Sequence, residues 1–304
     1  MTKDSKIKIS FSTSSLQVTY GDKEALRMAK EAGADAVDFF TNHLSVAREG
    51  SIYTKSDEEI IAYFTEIREY AQGLGLEIPQ SHGRLRIYMN DPEQDDICIE
   101  NARRDLLAAS VLGSPICVMH GVTTSVMGPD ADPQLMHDLC YQQYSKILPW
   151  AKKYNVKIAT ETFGFCSALS CIEFYAMSKN FKDIYDRITA EGDNADYFKI
   201  CMDTGHSNTS GRFGDLSVGD QIRLFGKNIV CLHLHDNDGK EDQHMLPMTG
   251  TIDWQDVFNA LDEVGYEGTY NLEVKLPFFG KGFELETARF AVKLLRFLLE
   301  QRRL

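Results

Sequence analysis

The sequence has few positive charges for its length, and this shortage narrows the range of possible functions. It carries 32 lysines and arginines against 45 aspartates and glutamates, which gives a formal net charge of −13 at pH 7. A protein that binds nucleic acid gains affinity by neutralising phosphates and needs the opposite balance along at least one surface. The longest basic clusters, at residues 83–86 and 301–304, are too short to line such a groove. The composition therefore disfavours nucleic acid as a partner.

Long hydrophobic runs and paired cysteine motifs are also missing. No apolar run approaches the length that spans a membrane, and residues 1–6 lack the apolar stretch of a signal peptide. The seven cysteines include no Cys-x-x-Cys pair, and Cys117, Cys201 and Cys231 lie in apolar segments where reduced thiols act as small core residues. We therefore expect a reduced, cytoplasmic protein with no membrane partner.

Short apolar segments alternate with helix-period segments from end to end. Eight strands are predicted, at residues 7–12, 36–40, 77–82, 115–120, 157–162, 198–203, 229–235 and 269–274. An amphipathic segment follows each of them, and glycines such as Gly113 stand where helix ends need a left-handed residue. Eight strand–helix units predict one (β/α)8 TIM barrel, an α/β fold, over residues 1–304.

The alternative to a barrel is an open, doubly wound sheet. Such a sheet would place a Gly-x-Gly-x-x-Gly phosphate-binding turn after its first strand, but residues 11–15 read Phe-Ser-Thr-Ser-Ser. Polar residues that follow at least six different strands also favour a closed barrel, because its rim gathers every strand end.

Histidines and acids concentrate at the carboxyl ends of the predicted strands. Seven of the eight histidines lie there, and only His137 falls inside a predicted helix. The two residues His233 and His235 follow one strand, and Glu161, Asp203 and Glu273 end three others. Imidazoles and carboxylates that converge on one rim of a barrel are typical ligands of a divalent metal.

Period-two alternation of strand side chains predicts which residues share a layer. With Glu161 at the mouth, the upper layer also holds Asp203, His235 and Glu273. The layer below then contains Val118, Ala159, Cys201, Gln80, His233 and Asn271. His233, Asn271 and Gln80 could hydrogen-bond the ligands above. For His233, the pattern is equally consistent with a histidine that belongs to the core. The upper set of three carboxylates and one imidazole suits Mn²⁺, Co²⁺, Mg²⁺ or Zn²⁺.

At these motifs the chain resembles the xylose isomerase-like barrel superfamily, which includes sugar isomerases and epimerases, inosose dehydratase and endonuclease IV. The resemblance is carried by Thr160-Glu161-Thr162, Asp203-Thr204-Gly205-His206, His233-Leu234-His235-Asp236, Gly250-Thr251-Ile252-Asp253-Trp254 and Leu272-Glu273-Val274. The ketose 3-epimerase branch implies one metal on Glu161, Asp203, His235 and Glu273. It also implies that His206 contacts substrate and that the two glutamates act as acid and base.

Resemblance to endonuclease IV implies that further metals are possible. In that enzyme, residues matching His82 and His120 share the first glutamate with a second metal, and residues matching His206, Asp242 and His244 hold a third. Endonuclease IV also needs a basic surface and side chains that enter the duplex. Here residues 236–242 bring four acids to the rim, so we expect one metal, with Asp242 and His244 as possible ligands of another.

Other residues near the predicted mouth are candidates for substrate contact. We expect His82, His120, His206 and Lys275 to bind substrate, and Phe163, Phe165, Phe278 and Phe279 could wall a sugar-sized pocket, although simple loop packing explains these rings equally well. Arg84 and Arg86 could recognise a phosphate, but no phosphate-binding nest accompanies them. No nucleophile elbow supports covalent serine or cysteine catalysis.

The sequence therefore predicts a divalent-metal-dependent sugar isomerase or epimerase, expected to be a homo-oligomer that acts on a small carbohydrate. Glu161 and Glu273 would move a proton α to a carbonyl through a metal-stabilised enediolate. A lyase or dehydratase acting on a keto-sugar or oxidised glycoside would use the same groups, and a multi-metal phosphodiesterase is a further alternative. A non-catalytic barrel is disfavoured because both glutamates are present.

Overall fold

Strands and helices alternate in the computed structural model, which describes residues 7–301. Eight parallel strands form the barrel: β1 Ile9–Ser12, β2 Ala36–Phe40, β3 Glu77–His82, β4 Ile116–Met119, β5 Lys157–Glu161, β6 Phe198–Asp203, β7 Ile229–His233 and β8 Tyr270–Leu272. Neighbours in the chain are neighbours in the sheet, and β8 returns to pair with β1. A bridge between Leu234 and Leu272 joins β7 to β8 and closes the ring. The predicted (β/α)8 barrel is confirmed over these residues.

Helices surround the strands. They are α1 Ser14–Tyr20, α2 Asp22–Glu31, α3 Asp57–Gly73, α4 Pro92–Leu112, α5 Thr124–Met127, α6 Pro133–Tyr154, α7 Ser178–Thr189, α8 Asn194–Tyr197, α9 Thr204–Ser210, α10 Val218–Phe225, α11 Trp254–Val264 and α12 Glu284–Gln301. None of them, within residues 7–301, combines the length and apolarity that a membrane crossing requires.

Capping chemistry sets the helix boundaries more sharply than hydrophobic periodicity does. Helix α4 begins at Pro92, because Asp91 caps it and proline suits its first turn. After β5, the chain first forms a small hairpin that pairs Cys171–Ile172 with Phe165–Cys166. Helix α7 starts only at Ser178. This hairpin lies over the carboxyl end of β5 and so borders the mouth.

Small residues fill the barrel interior directly beneath the mouth. Val118, Ala159, Cys201 and Cys231 form a cluster of their own, and each is at most 1% exposed. They lie on four successive strands, each two residues before a polar residue at the mouth. The predicted layer of small apolar groups is therefore present, and on β7 its member is Cys231, not His233.

A buried ion pair holds the loop after β3 against α4. The Arg84 guanidinium donates to Asp105, with Nε 2.6 Å from Oδ2, and also to the carbonyl oxygens of Thr41 and Leu44. Asp105 accepts further bonds from Thr41 and Tyr53. Arg84 is only 5% exposed, so it serves the fold and is not free for the phosphate contact considered from the sequence.

Arg84→Ala should lower the free energy of unfolding by about 3–5 kcal/mol, because it leaves the buried Asp105 carboxylate without its partner. Arg86→Ala is the matched control, since Arg86 is exposed and its change should stay within about 0.5 kcal/mol. Urea unfolding of both variants measures the difference. Equal effects at the two positions would contradict the structural role of Arg84.

Candidate metal and acid–base site

A cavity of about 1090 Å³ opens at the carboxyl end of the barrel. Eight of the ten site residues predicted from the sequence line it: His82, His120, Glu161, His206, Asp242, His244, Glu273 and Lys275. The other two, Asp203 and His235, lie just beneath and are fully buried. The strand ends thus bring the predicted residues together in one place.

Glu161, the last residue of β5, is surrounded by imidazoles. Its Oε2 lies 2.6 Å from His120 Nε2 and 3.3 Å from His82 Nε2, and its Oε1 lies 2.9 Å from His233 Nδ1. Burial alone would raise the pKa of Glu161, but the charges of His233 and His120 outweigh burial and hold that pKa well below its usual range. The carboxylate is therefore kept ionised in a site that excludes most water.

His233 connects the two glutamates to a buried acid that the sequence reasoning missed. Its Nδ1 lies 3.1 Å from Glu273 Oε2 as well as near Glu161, and its Nε2 lies 3.0 Å from Asp38 Oδ2. Asn271 Nδ2 also reaches Asp38, at 3.5 Å, and Ser10 donates to Asn271. Metal-bound histidines commonly donate their second N–H to a carboxylate in this way. The only sequence signal was an acid within the apolar run of β2.

Four residues offer ligand atoms that all lie within 4.8 Å of one another: Glu161, Asp203, His233 and Glu273. The sequence-based set had His235 in place of His233, so the structure differs at this one position. The cause is register: Asp203 pairs with His233 across β6 and β7, after a shift between Ile200 and Cys201. His233 therefore lies level with Asp203, whereas His235, on the same face, lies two residues further along the chain.

A second group of ligand atoms contains His235, together with His206, Asp242 and His244. His206 and His244 donate from Nδ1 to the carbonyl oxygens of Thr162 and Glu273, at 2.8 and 2.7 Å. Their Nε2 atoms then face Asp242, at 3.3 and 3.1 Å. The backbone thus fixes both rings with one nitrogen turned toward the carboxylate.

Opposite charges also shift the pKa values of this second group. Burial would lower the pKa of His244, but Asp242 outweighs it and raises that pKa to about 10. Burial would raise the pKa of Asp242, but the charges of His206 and His244 hold that pKa well below its usual range. Of the two, His206 has the larger effect. A further group joins His82, His120 and Glu161. There the hydrogen bond to Glu161 overcomes burial and raises the pKa of His82 to about 9.

The residues fit a divalent cation by their donor chemistry. Three carboxylates and one imidazole in the first group, and one carboxylate with three imidazoles in the second, are ligand sets that transition metals accept. Two buried atoms of the second group, His235 Nδ1 and Asp242 Oδ1, have no hydrogen-bond partner. Unpaired buried polar atoms are costly, and a bound ion is one way to satisfy them.

The Asp203-Thr204-Gly205-His206 motif positions the second group. Asp203 caps α9 by accepting from the His206 N–H at 2.6 Å, and its carboxylate lies 3.0 Å from His235 Nε2. A Cβ at Gly205 would stand 1.9 Å from the His235 ring, so only glycine fits beneath this imidazole. Thr204 Oγ1 binds the His235 backbone on both its N–H and its carbonyl.

Asp236 is not the rim acid that the sequence reasoning expected. It is fully buried, and its carboxylate accepts from the N–H of Ile252 and from Trp254 Nε1, at 3.2 and 2.8 Å. It therefore anchors the Gly250–Trp254 motif beneath the loop. Fewer acids face the mouth than the sequence alone suggested.

Side chains at the outer rim differ in their exposure. Lys275 and Phe278 line the cavity, and Phe278 is 58% exposed. Phe163 is buried and packs edge-on against His120, with ring centroids 5.3 Å apart. Phe279 is exposed but is not among the residues that line the cavity.

The sequence matches a known family. A family model described as a xylose isomerase-like TIM barrel matches residues 26–296. The chain therefore belongs to the xylose isomerase-like TIM-barrel family, as its motifs suggested.

Curated relatives are distant. The chain is 27% identical over 175 residues to the uncharacterized protein y4fM of Sinorhizobium fredii, which covers 57% of this chain and 51% of that protein. It thus spans about half the length of that relative. Over 259 residues it is 24% identical to the D-psicose 3-epimerase of Enterocloster bolteae, covering 81% of this chain and 75% of that enzyme.

Solved structures share the fold at low sequence identity. A D-tagatose 3-epimerase-like protein superposes with a TM-score of 0.72 at 21% identity, covering 98% of each chain. The IolI protein with a bound zinc atom superposes with a TM-score of 0.71 at 16% identity, covering 97% of this chain and 98% of that one.

If the first group of ligand atoms holds a metal, His233→Ala should lower metal retention, because it removes the imidazole that lies with Glu161, Asp203 and Glu273. His235→Ala should leave that metal in place, and His137→Ala, on α6, is the control for histidine loss outside the site. Elemental analysis of Mn²⁺-loaded, purified variants measures retention, and circular dichroism checks the fold. Depletion by His235→Ala but not by His233→Ala would restore the ligand set expected from the sequence.

Proposed function

We propose that the protein is a divalent-metal-dependent sugar isomerase or epimerase. The observation that carries this proposal is the pair of glutamates at the mouth, Glu161 and Glu273, both within 3.1 Å of one imidazole nitrogen. The epimerase names of its relatives support the same class of reaction. Two carboxylates that converge on one cavity can act as base and acid on a C–H between them.

The charge state of both glutamates suits proton abstraction. Burial would raise the pKa of Glu273, but the charge and hydrogen bond of His233 lower that pKa to about 2. Glu161 is held ionised in the same way. Each glutamate is therefore ionised and able to accept a proton, and the neighbouring imidazoles stabilise the carboxylate that is restored when the carboxylic acid passes that proton on.

The rest of the site holds and orients substrate in this proposal. His206 and Lys275 both line the cavity, where they can contact sugar hydroxyls, and the exposed Phe278 ring lies in the same wall. A divalent cation on Glu161, Asp203, Glu273 and an imidazole would supply a Lewis acid that polarises a sugar carbonyl and acidifies the adjacent C–H. The IolI protein of this fold binds zinc.

Several products are compatible with this first step. Return of the proton to the opposite face gives an epimer, and return to the neighbouring carbon gives an isomer. Loss of a substituent from the next carbon gives a lyase or dehydratase. We favour epimerisation because two separate carboxylates, Glu161 and Glu273, are available for removal and return of the proton.

Glu161→Gln and Glu273→Gln should each slow exchange of a substrate C–H with deuterated solvent by about 100-fold or more, because an amide cannot act as a base. Exchange into D-fructose, followed by NMR with the Mn²⁺-loaded protein, provides the measurement. Metal content should fall less than in the alanine variants, since the amide oxygen remains a ligand. Glu267→Gln, an exposed acid away from the site, is the control. Wild-type exchange in either site variant would refute the acid–base pair.

A multi-metal phosphodiesterase is the second candidate, favoured by the four adjoining groups of ligand atoms. Binding of a DNA duplex needs several cationic side chains along one face. The main cavity is lined by Lys275, and Arg86 lines the cavity beside it. The chain as a whole carries a net charge of −13.

We therefore expect no incision of an abasic DNA duplex at physiological salt, with either Zn²⁺ or Mn²⁺. A gel assay at catalytic protein concentrations tests this expectation. Incision that is lost in His82→Ala or His120→Ala would favour the nuclease over the sugar enzyme.

A further inference from the structure

A second cavity of about 560 Å³ opens beside the main one, and the two share Leu85, His120 and His206 as wall residues. We call it the side lobe; it is bounded by Arg86, Met89, Ser125, Phe163, Phe165 and Glu173. Small-molecule sites usually occupy about 300–1,000 Å³, and the main cavity alone fills that range. A single sugar ring bound at the two glutamates would leave the side lobe empty.

The walls of the side lobe combine aromatic faces with hydroxyl groups. Phe165 is held in place by stacking on Phe213, with ring centroids 6.2 Å apart, and the Arg212 guanidinium lies 4.7 Å from the Phe165 ring centre. The hydroxyls of Thr123 and Ser125 lie 2.8 Å apart. Aromatic faces pack on the C–H surface of a sugar, and hydroxyls exchange hydrogen bonds with its edge.

Arg86 stands out among the arginines between residues 7 and 301, because it alone forms no hydrogen bond or ion pair with the described residues. Arg84, two positions earlier, is fully engaged with Asp105 and with backbone carbonyls. Arg86 lines the side lobe and its guanidinium is free to donate to a ligand. An exposed guanidinium at a cavity wall has donors available for the acceptor atoms of a ligand.

A carboxylate accompanies this cation in the same lobe. Glu173 is only 9% exposed, and its Oε2 accepts from the Thr124 N–H. An anionic substituent such as a phosphate would meet this carboxylate as well as Arg86. A neutral ring with several hydroxyls can donate to Glu173 and accept from Arg86, so it matches both groups.

We infer that the side lobe binds a second sugar ring, so that the substrate is a glycosylated keto-sugar and not a free monosaccharide. This inference rests on the proposed function, because it places the reacting ring at Glu161 and Glu273. The shared residues His120 and His206 would then lie where the two rings are joined.

The test compares D-fructose with maltulose and isomaltulose, which carry a glucosyl ring on the same ketose. Deuterium exchange next to the carbonyl is followed by NMR with the Mn²⁺-loaded protein. One aromatic contact and one hydrogen bond should give at least one glycosylated ketose a kcat/KM on the order of tenfold above that of D-fructose. Equal or faster exchange into D-fructose would overturn the inference while leaving the proposed function intact.

Variants locate the preference in the side lobe. Ser125→Trp should fill the lobe and bring the ratio of the two kcat/KM values down to about one, and Arg86→Ala should lower the same ratio. Ser145→Trp makes the identical change on the exposed face of α6 and should leave the ratio unaltered. An unaltered ratio in Ser125→Trp and Arg86→Ala would also overturn the inference. Exchange into none of the three sugars would count against the proposed function and the inference together.

Discussion

The site depends on one buried carboxylate being kept charged. Glu161 is 1% exposed, and an isolated ion in such surroundings would cost several kcal/mol even after relaxation. Three imidazoles offset this cost from three different strands or the loops that follow them: His82, His120 and His233. Asp38 holds the last of these from the opposite side, so the charge pairing continues through the centre of the barrel. The positions of the strands around the ring are therefore tied to the chemistry at their ends.

Asp203 extends this pairing to the second group of ligand atoms. Its backbone pairs in register with His233, while its side chain contacts His235 and caps α9, which carries His206. One residue thus fixes the relative positions of two groups that could each accept a cation. A change at Asp203 would disturb both groups, so its effect could not be assigned to either one alone.

Much of the fold and most of the site could be predicted from the sequence, because parallel barrels gather their functional residues at strand ends. The apolar runs located all eight strands, and the histidine and acid positions identified the mouth. The level of the β7 histidines could not be predicted, because alternation places His233 and His235 on the same face and does not tell which of them lies beside Asp203. The layer of Val118, Ala159, Cys201 and Cys231 shows that His233, and not His235, stands above the small residues.

Other features escaped the sequence because they depend on long-range contacts. In the sequence, Asp38 is an isolated acid in a predicted strand. Only the closed barrel brings it to His233, which lies 195 residues later in the chain. The sequence placed Asp236 in an acidic rim, whereas its carboxylate is buried and accepts hydrogen bonds from Ile252 and Trp254. Helix caps and the hairpin after β5 moved element boundaries through local hydrogen bonds, which hydrophobic periodicity does not record. Local patterns identify the kind of residue, and tertiary contacts decide its role.

The negative charge of the chain agrees with a neutral substrate. Charges at the surface act over about 8 Å at physiological ionic strength, so a polyanion at the mouth is repelled by the acidic groups near its contact surface and little by more distant ones. A neutral sugar feels no such force, and its recognition must come from hydrogen bonds and from packing on aromatic rings. In the proposed enzyme these contacts would come from His206, Lys275 and Phe278 in the main cavity and from Arg86 and Phe165 in the side lobe. Selectivity of the proposed enzyme would therefore be set by the shape and polar groups of the two lobes, while the buried charges beneath them serve the proton transfer.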